Sequence, residues 1–198
     1  MDYLNFEMGF WHPFGPHRDK NSPGEIEPPE GILARKRKEI ADNGWTLWSF
    51  QHRLTLESWH KALISSKPAS VFVFCSTGKS SKAPTGNAAD CQYYKNVCED
   101  RWQAIPPQIR VPHAFAANRK KKSASAFIVQ RIIDPATPFL PPKVQWFSNA
   151  GEWLVNKPST RGEWLIRRGG VSPMPSVSVI LELKVPYLAF LRAEGPLD

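Results

Sequence analysis

The chain has no apolar run approaching the roughly 18 residues that a membrane-spanning helix needs. Its opening, Met1-Asp2-Tyr3-Leu4-Asn5-Phe6-Glu7, carries neither a basic stretch nor a sustained apolar one. Membrane insertion and secretion are therefore not expected, and the sequence predicts a cytoplasmic protein. Cysteine is scarce: Cys75, Cys91 and Cys98 are an odd number, which argues against a disulfide framework and for reduced thiols. Cys91 and Cys98 also stand further apart than the close ligand pairs of structural zinc sites. His12, His17 and Asp19 match neither a helical nor a knuckle metal site, so no metal and no cofactor is expected. Also missing are a Gly-rich phosphate loop, a Gly-x-Ser-x-Gly elbow and a His-Glu-x-x-His pair, which leaves no positive sign of a known catalytic class.

Bulk composition is ordinary: 41% apolar and 22% charged residues over 198 positions suit one packed core, and residues 1–198 are read as a single domain. Charge is the compositional bias. Twenty-six Lys and Arg against eighteen Asp and Glu leave a formal +8, an excess that attracts polyanions by neutralising phosphates and releasing counterions.

Residues 9–31 are dense in Pro and Gly, and the first 30 residues predict an extended aromatic arm without regular structure. A helix is expected from Glu30 to Asn43, entered after Pro28-Pro29 and closed by a left-handed cap at Asn43-Gly44. Arg35-Lys36-Arg37-Lys38 marks it as a surface helix. A strand over residues 44–50 comes next, rich in aromatic and β-branched side chains. Thr55 then suits the N-cap of a second helix, which repeats Leu56, Trp59, His60 and Leu63 on one face. Val71-Phe72-Val73-Phe74-Cys75 has the length and content of a buried strand. Residues 78–108 are polar and predict a long loop, the best candidate for a lid. Further strands are expected over 126–133, at 144–148, around 164–166 and over 177–183. The fold class is thus α+β: a curved, mostly antiparallel sheet or partly open β-barrel with flanking helices.

Trp11-His12-Pro13-Phe14 concentrates aromatic and imidazole groups where prolines hold the chain open. Trp11 and Phe14 can stack on a planar ligand while His12 or His17 bonds its edge, or the arm can simply tuck its rings into a groove. Arg119-Lys120-Lys121-Lys122 precedes a strand, and Arg167-Arg168 leads into Gly169-Gly170. Both basic runs suit phosphate contacts; the alternative for the first is a solvated turn, which is the usual role of such a run, and for the second a hairpin end with charged flanks. Cys75 paired with His60 or His113 is a nucleophile of last resort, since a thiol on an apolar strand is usually inert.

Trp45-Thr46-Leu47-Trp48-Ser49-Phe50, a short helix and then Val71-Phe72-Val73-Phe74-Cys75-Ser76 resemble the opening strand, helix and second strand of EVE and other PUA-like domains. Leu165-Ile166-Arg167-Arg168-Gly169-Gly170 with Val171-Ser172-Pro173-Met174-Pro175 resembles the late basic strand and turn of some EVE sequences. The two segments cover about a fifth of the chain. The resemblance implies a PUA-like core over residues 44–198, with a pocket that reads RNA or a modified base in DNA. It puts Trp48 and Ser49 near that pocket, Ser76 at its rim, and Arg167 and Arg168 on the phosphate path.

The first expectation is a nucleic-acid-binding module, with Trp11, His12, Phe14, Trp48, Ser49 and Ser76 around a base and Arg119, Lys120, Lys121, Arg167 and Arg168 on phosphates. The alternatives are an enzyme for a nucleotide or small anion, using His12, His17 or His113 as general base, and a module whose tryptophans meet a protein partner. Oligomeric state is left open.

Overall fold

The computed structural model describes residues 2–18, 26–50, 56–77, 90–112, 123–158 and 162–193. A 3-10 turn (Asp2–Asn5) leads into β1 (Met8–Phe14), the two-residue strands β2 (His17–Arg18) and β3 (Ile26–Glu27), and α1 (Pro29–Asn43). Then come β4 (Thr46–Phe50), α2 (Leu56–Ser66), β5 (Phe72–Thr77), β6 (Tyr93–Asn96) and β7 (Gln103–Ala104). The second half supplies β8 (Ser123–Ile133), β9 (Lys143–Phe147), β10 (Trp153–Leu154), β11 (Trp164–Arg168), β12 (Ser172–Pro173) and β13 (Val179–Arg192). Eleven of these strands form one mixed sheet, not closed into a barrel, whose main path runs β10-β9-β11-β1-β5-β13-β6-β7, with β8 on β13 and β4 on β8. Among the described residues only the β1–β5 pairing is parallel.

The sheet curls. Phe10 on β1 lies three strand steps from Phe127 on β8, about 14 Å across a flat sheet, yet their ring centroids are 5.0 Å apart. Both helices pack on this concave inner face: Ile32 of α1 and Leu56, Trp59 and Leu63 of α2 share a core with Phe10, Phe14, Trp48, Phe127, Leu165 and Leu181. The outer face is covered in two places. Tyr3, Phe6 and Met174 cover Trp11, Trp146 and Ile166 at one end. Cys91, Ile109 and Val111 cover Leu47, Ala126 and Leu191 at the other.

Among the described residues, the first 30 are not the irregular arm expected from their Pro and Gly content. Residues 8–14 are not irregular but form β1, held between β5 and β11. Gly9, which reads as a breaker, is there for close approach: a Cβ on it would lie 2.6 Å from the Phe72 carbonyl oxygen. The expected loop over 78–108 is corrected too, because β6 and β7 form a hairpin whose β6 pairs with the end of β13. Residues 78–89 of that span, and Thr55, lie outside the described residues. The last strand runs on to Arg192 rather than ending at Leu183, through a register shift between Leu183 and Leu188.

α1 starts and stops as expected, with Gly44 in the left-handed region (φ 77°) and its N–H on the Ile40 carbonyl. It is not purely a surface helix, however, because Lys36 and Glu39 are buried. Lys36 Nζ donates to Glu39 Oε2 (2.8 Å), to Thr46 Oγ1 (3.2 Å) and to the Arg110 carbonyl (2.7 Å). The other Glu39 oxygen accepts from Arg35 Nη1 (3.0 Å) and from the Arg110 backbone N–H (3.1 Å). Arg35 also donates twice to Glu27, at 2.8 Å each. This network fastens the chain near Arg110 to α1. Burial pushes the Lys36 ammonium down to about 8 even though the Glu39 carboxylate beside it favours the charge.

Candidate functional site

Because side chains alternate along a strand, β1 distributes the expected ligand-binding residues between two faces. His12 and Phe14 point into the concave core, while Trp11 packs on the outer face. On β4 the same alternation puts Trp48 inside and sends Ser49 the other way, where its hydroxyl donates to the Pro112 carbonyl at 3.4 Å. On β5, Ser76 lies next to core-facing Cys75 and meets Ser176 at 3.4 Å between hydroxyl oxygens. Trp11, His12, Phe14, Trp48, Ser49 and Ser76 therefore do not line one pocket.

Three of them do meet. Trp48 Nε1–H donates to His12 Nε2 (3.1 Å), and His12 Nδ1 lies 3.1 Å from Glu163 Oε1. An indole nitrogen only donates, so His12 Nε2 is the accepting nitrogen and its proton sits on Nδ1, facing the carboxylate. The imidazole also stacks on Phe14 at 6.5 Å, with Trp48 edge-on. His12, Phe14, Trp48 and Glu163 are all buried. With both ring nitrogens engaged, His12 has none to offer a substrate, and Trp48 has no open face on which a base could stack.

Other expected groups are dispersed. Arg167 faces inward, with Nε on Gln145 Oε1 (2.5 Å) and its guanidinium 4.4 Å from the Trp153 ring centroid. Arg168, the next residue on β11, is exposed and reaches Asn5 Oδ1 at 3.2 Å. Burial holds the Cys75 thiol well above its usual range, which removes it as a nucleophile. Half-buried His60 is lowered by desolvation. Arg119, Lys120, Lys121 and His113 lie outside the described residues. No group of three or more His, Cys, Asp or Glu residues able to hold a metal occurs among the described residues.

Sequence reasoning missed a cluster where β6 meets the end of β13. Phe190 pairs with Lys95 and Arg192 with Tyr93, so the four side chains share one face. Lys95 Nζ lies 5.6 Å from the ring centroids of both Trp102 and Phe190, and the Arg192 guanidinium lies 5.4 Å from that of Trp102. Lys95, Trp102, Phe190 and Arg192 are each half-buried, so rings and cations both reach solvent. Among the described residues neither Lys95 nor Arg192 has a carboxylate partner. Glu99, in the same hairpin, is held by Asn96 Nδ2 (2.8 Å) and Gln103 Nε2 (3.0 Å). Backbone bonds tie the hairpin down, from Gln92 N–H to the Arg192 carbonyl (2.8 Å) and from Val97 N–H to that of Leu188 (3.1 Å). Only the spacing of basic and aromatic residues hints at this cluster in the sequence, and that spacing depends on a strand pairing nearly a hundred residues long in the chain.

A third grouping lies on the outer face. Trp11 and Trp164 are cross-strand partners, and Trp146 stands edge-on to Trp11 at 6.2 Å and 75°. Lys157 caps them, its ammonium 3.6 Å from the Trp11 ring centroid and 5.7 Å from that of Trp146. The described helices include none long and apolar enough to cross a membrane. No family model, no curated protein and no solved structure matches this chain.

Proposed function

We propose that this chain is a nucleic-acid-binding module that grips single-stranded RNA or DNA along the β6–β13 edge, with Trp102 as the ring on which a base stacks and Lys95 and Arg192 on the flanking phosphates. The observation that carries this reading is the Trp102 cluster itself: two cations drawn over solvent-reaching rings, with no carboxylate among the described residues to neutralise them. Such a surface is the working part of sequence-tolerant single-strand binders, since every base has a face to stack and every nucleotide a charge to neutralise. The formal +8 of the chain favours the same partner. Recognition of a modified base, and membership of the PUA-like domains, belong to the same proposal and rest on the resemblance of residues 45–50, 71–76 and 165–175.

The test is binding of labelled single-stranded and duplex RNA and DNA, with and without modified cytosines, at low and physiological salt. Trp102→Ala is expected to weaken single-strand binding by about 1 to 3 kcal/mol. Arg192→Gln should reduce the dependence of log K on log salt by slightly less than one phosphate contact, about 0.7 on a single strand. Both variants binding as tightly as the wild type, with folded spectra, would remove the proposed surface. Binding that vanishes at physiological salt, or that is no tighter to single strands than to duplex, would remove the function.

A further inference from the structure

We infer that the outer-face tryptophans form an aromatic half-cage for a methylated ammonium group, and that Lys157 is its resident occupant, displaced when such a ligand binds. Two indole rings set nearly at right angles around one cation are the arrangement that recognises quaternary ammonium, because the negative faces of both rings point at the charge. Lys157 occupies that position with its ammonium alone. Among the described residues it makes no hydrogen bond and no ion pair, so the rings are its only attachment.

The position is unfavourable for a lysine in particular. A primary ammonium is compact and strongly hydrated, with three N–H donors. Against two ring faces those donors lose part of their water and gain no acceptor among the described residues, and desolvation accordingly lowers the Lys157 pKa from its ordinary value. A methylated ammonium has no such conflict. Its charge spreads over methyl groups that fit against aromatic faces, and it gives up little hydration on entering. Displacement is also sterically simple, since Lys157 is exposed on the segment after β10, next to exposed Asn156 and near exposed Val155. The rings themselves are fixed: Trp11 and Trp146 sit on strands in the body of the sheet and are buried. This site is remote in sequence and in sheet position from the Trp102 cluster and stands or falls independently of nucleic-acid binding.

The probe is tetramethylammonium chloride, titrated into the wild type and into Lys157→Ala while the indole N–H resonances of Trp11 and Trp146 are followed, with sodium chloride at equal ionic strength as reference. Lys157→Ala is expected to saturate at a concentration about tenfold lower than the wild type, with shifts concentrated at those two tryptophans. Trp11→Leu placed in the Lys157→Ala background should abolish the response. If that double variant does not fold, the resonance map of Lys157→Ala decides alone. The same titration with choline and with a trimethyllysine peptide distinguishes a small quaternary amine from a modified side chain as the carrier of the group. No saturable shift in Lys157→Ala, shifts reproduced by sodium chloride, or equal midpoints in the two proteins would each overturn the inference.

Discussion

Replacing Lys36 with methionine tests the buried network that joins α1 to Thr46 and Arg110. The substitution keeps most of the stem and removes the ammonium, breaking bonds to Glu39, Thr46 and the Arg110 carbonyl. Glu39 is not stranded, because Arg35 and the Arg110 N–H still hold its other oxygen, and the Arg110 carbonyl keeps Arg35 Nη1 at 3.0 Å. The loss at pH 7 is therefore about 2 kcal/mol rather than the roughly 3 to 5 of a fully orphaned buried charge. The pH dependence is the more exact test. Lys36 falls from an ordinary 10.5 to about 8 in the folded chain, so the unfolded chain binds the extra proton between those values. Wild-type stability gains from this group as pH rises from 8 towards 10.5, by about 3 kcal/mol at about 1.4 per pH unit. Tyr94, Tyr187, Cys75 and Cys91 are all raised and act in the opposite direction at alkaline pH, but they are present in both proteins and cancel in the difference. Urea unfolding of both proteins at pH 7, 8, 9 and 10, followed by tryptophan fluorescence, should show the gap widening in favour of the wild type above pH 8. Parallel profiles would mean that Lys36 is not held as a desolvated cation.

Trp48→Phe leaves the buried His12 Nε2 without its donor and should lower stability by about 1 to 3 kcal/mol in the same unfolding assay, with no direct effect on a nucleic-acid contact. Gly170→Ala should prevent folding, since its Cβ would lie 1.8 Å from the Val144 carbonyl oxygen, whereas Gly151→Ala, with open space around it and φ of 85°, should lose only about 1 kcal/mol. Circular dichroism of the two variants separates these outcomes. A native thiol titration should modify exposed Cys98 rapidly, leaving Cys75 and Cys91 unreacted until denaturant is added, because both are buried and burial raises the Cys91 thiol to about 12.

Both helices were legible because local chemistry defines them. Pro29 opens α1 and Gly44 ends it, and the spacing of Leu56, Trp59 and Leu63 puts one face of α2 on the sheet. The apolar run at β5 was legible for the same reason. β1 was hidden because Gly9 and Pro13 are judged from the sequence as backbone breakers, while the sheet uses Gly9 for close approach and has Pro13 near the strand's end. Lys36 and Glu39 were hidden by their neighbours: within a run of four basic residues nothing local marks which one turns inward, and the choice is made by Thr46 and by Arg110, whose backbone carbonyl receives Lys36. Of the candidate site residues, His12, Phe14 and Trp48 belong to one close-packed inner group and Trp11 to the opposite face of the sheet, since aromatic density identifies contact area without saying what it contacts. Trp102 passed unnoticed in a polar stretch because its partners, Lys95 and Arg192, come together only through the pairing of β6 with β13.

That pairing also determines when the protein can take shape. β13 borders β5, β6 and β8, and it follows all three in the chain. Until it is synthesised, β5 has no neighbour on one side, β6 has only the two residues of β7, and the hydrophobic surfaces of all three are open to whatever else is present. Folding is thus governed by contacts between distant parts of the chain, which form slowly. A ribosome that stalls before residue 179 would release a polypeptide whose β10-β9-β11-β1-β5, β4-β8 and β6-β7 pairings have no strand to join them, a species suited to capture by chaperones rather than to partial function.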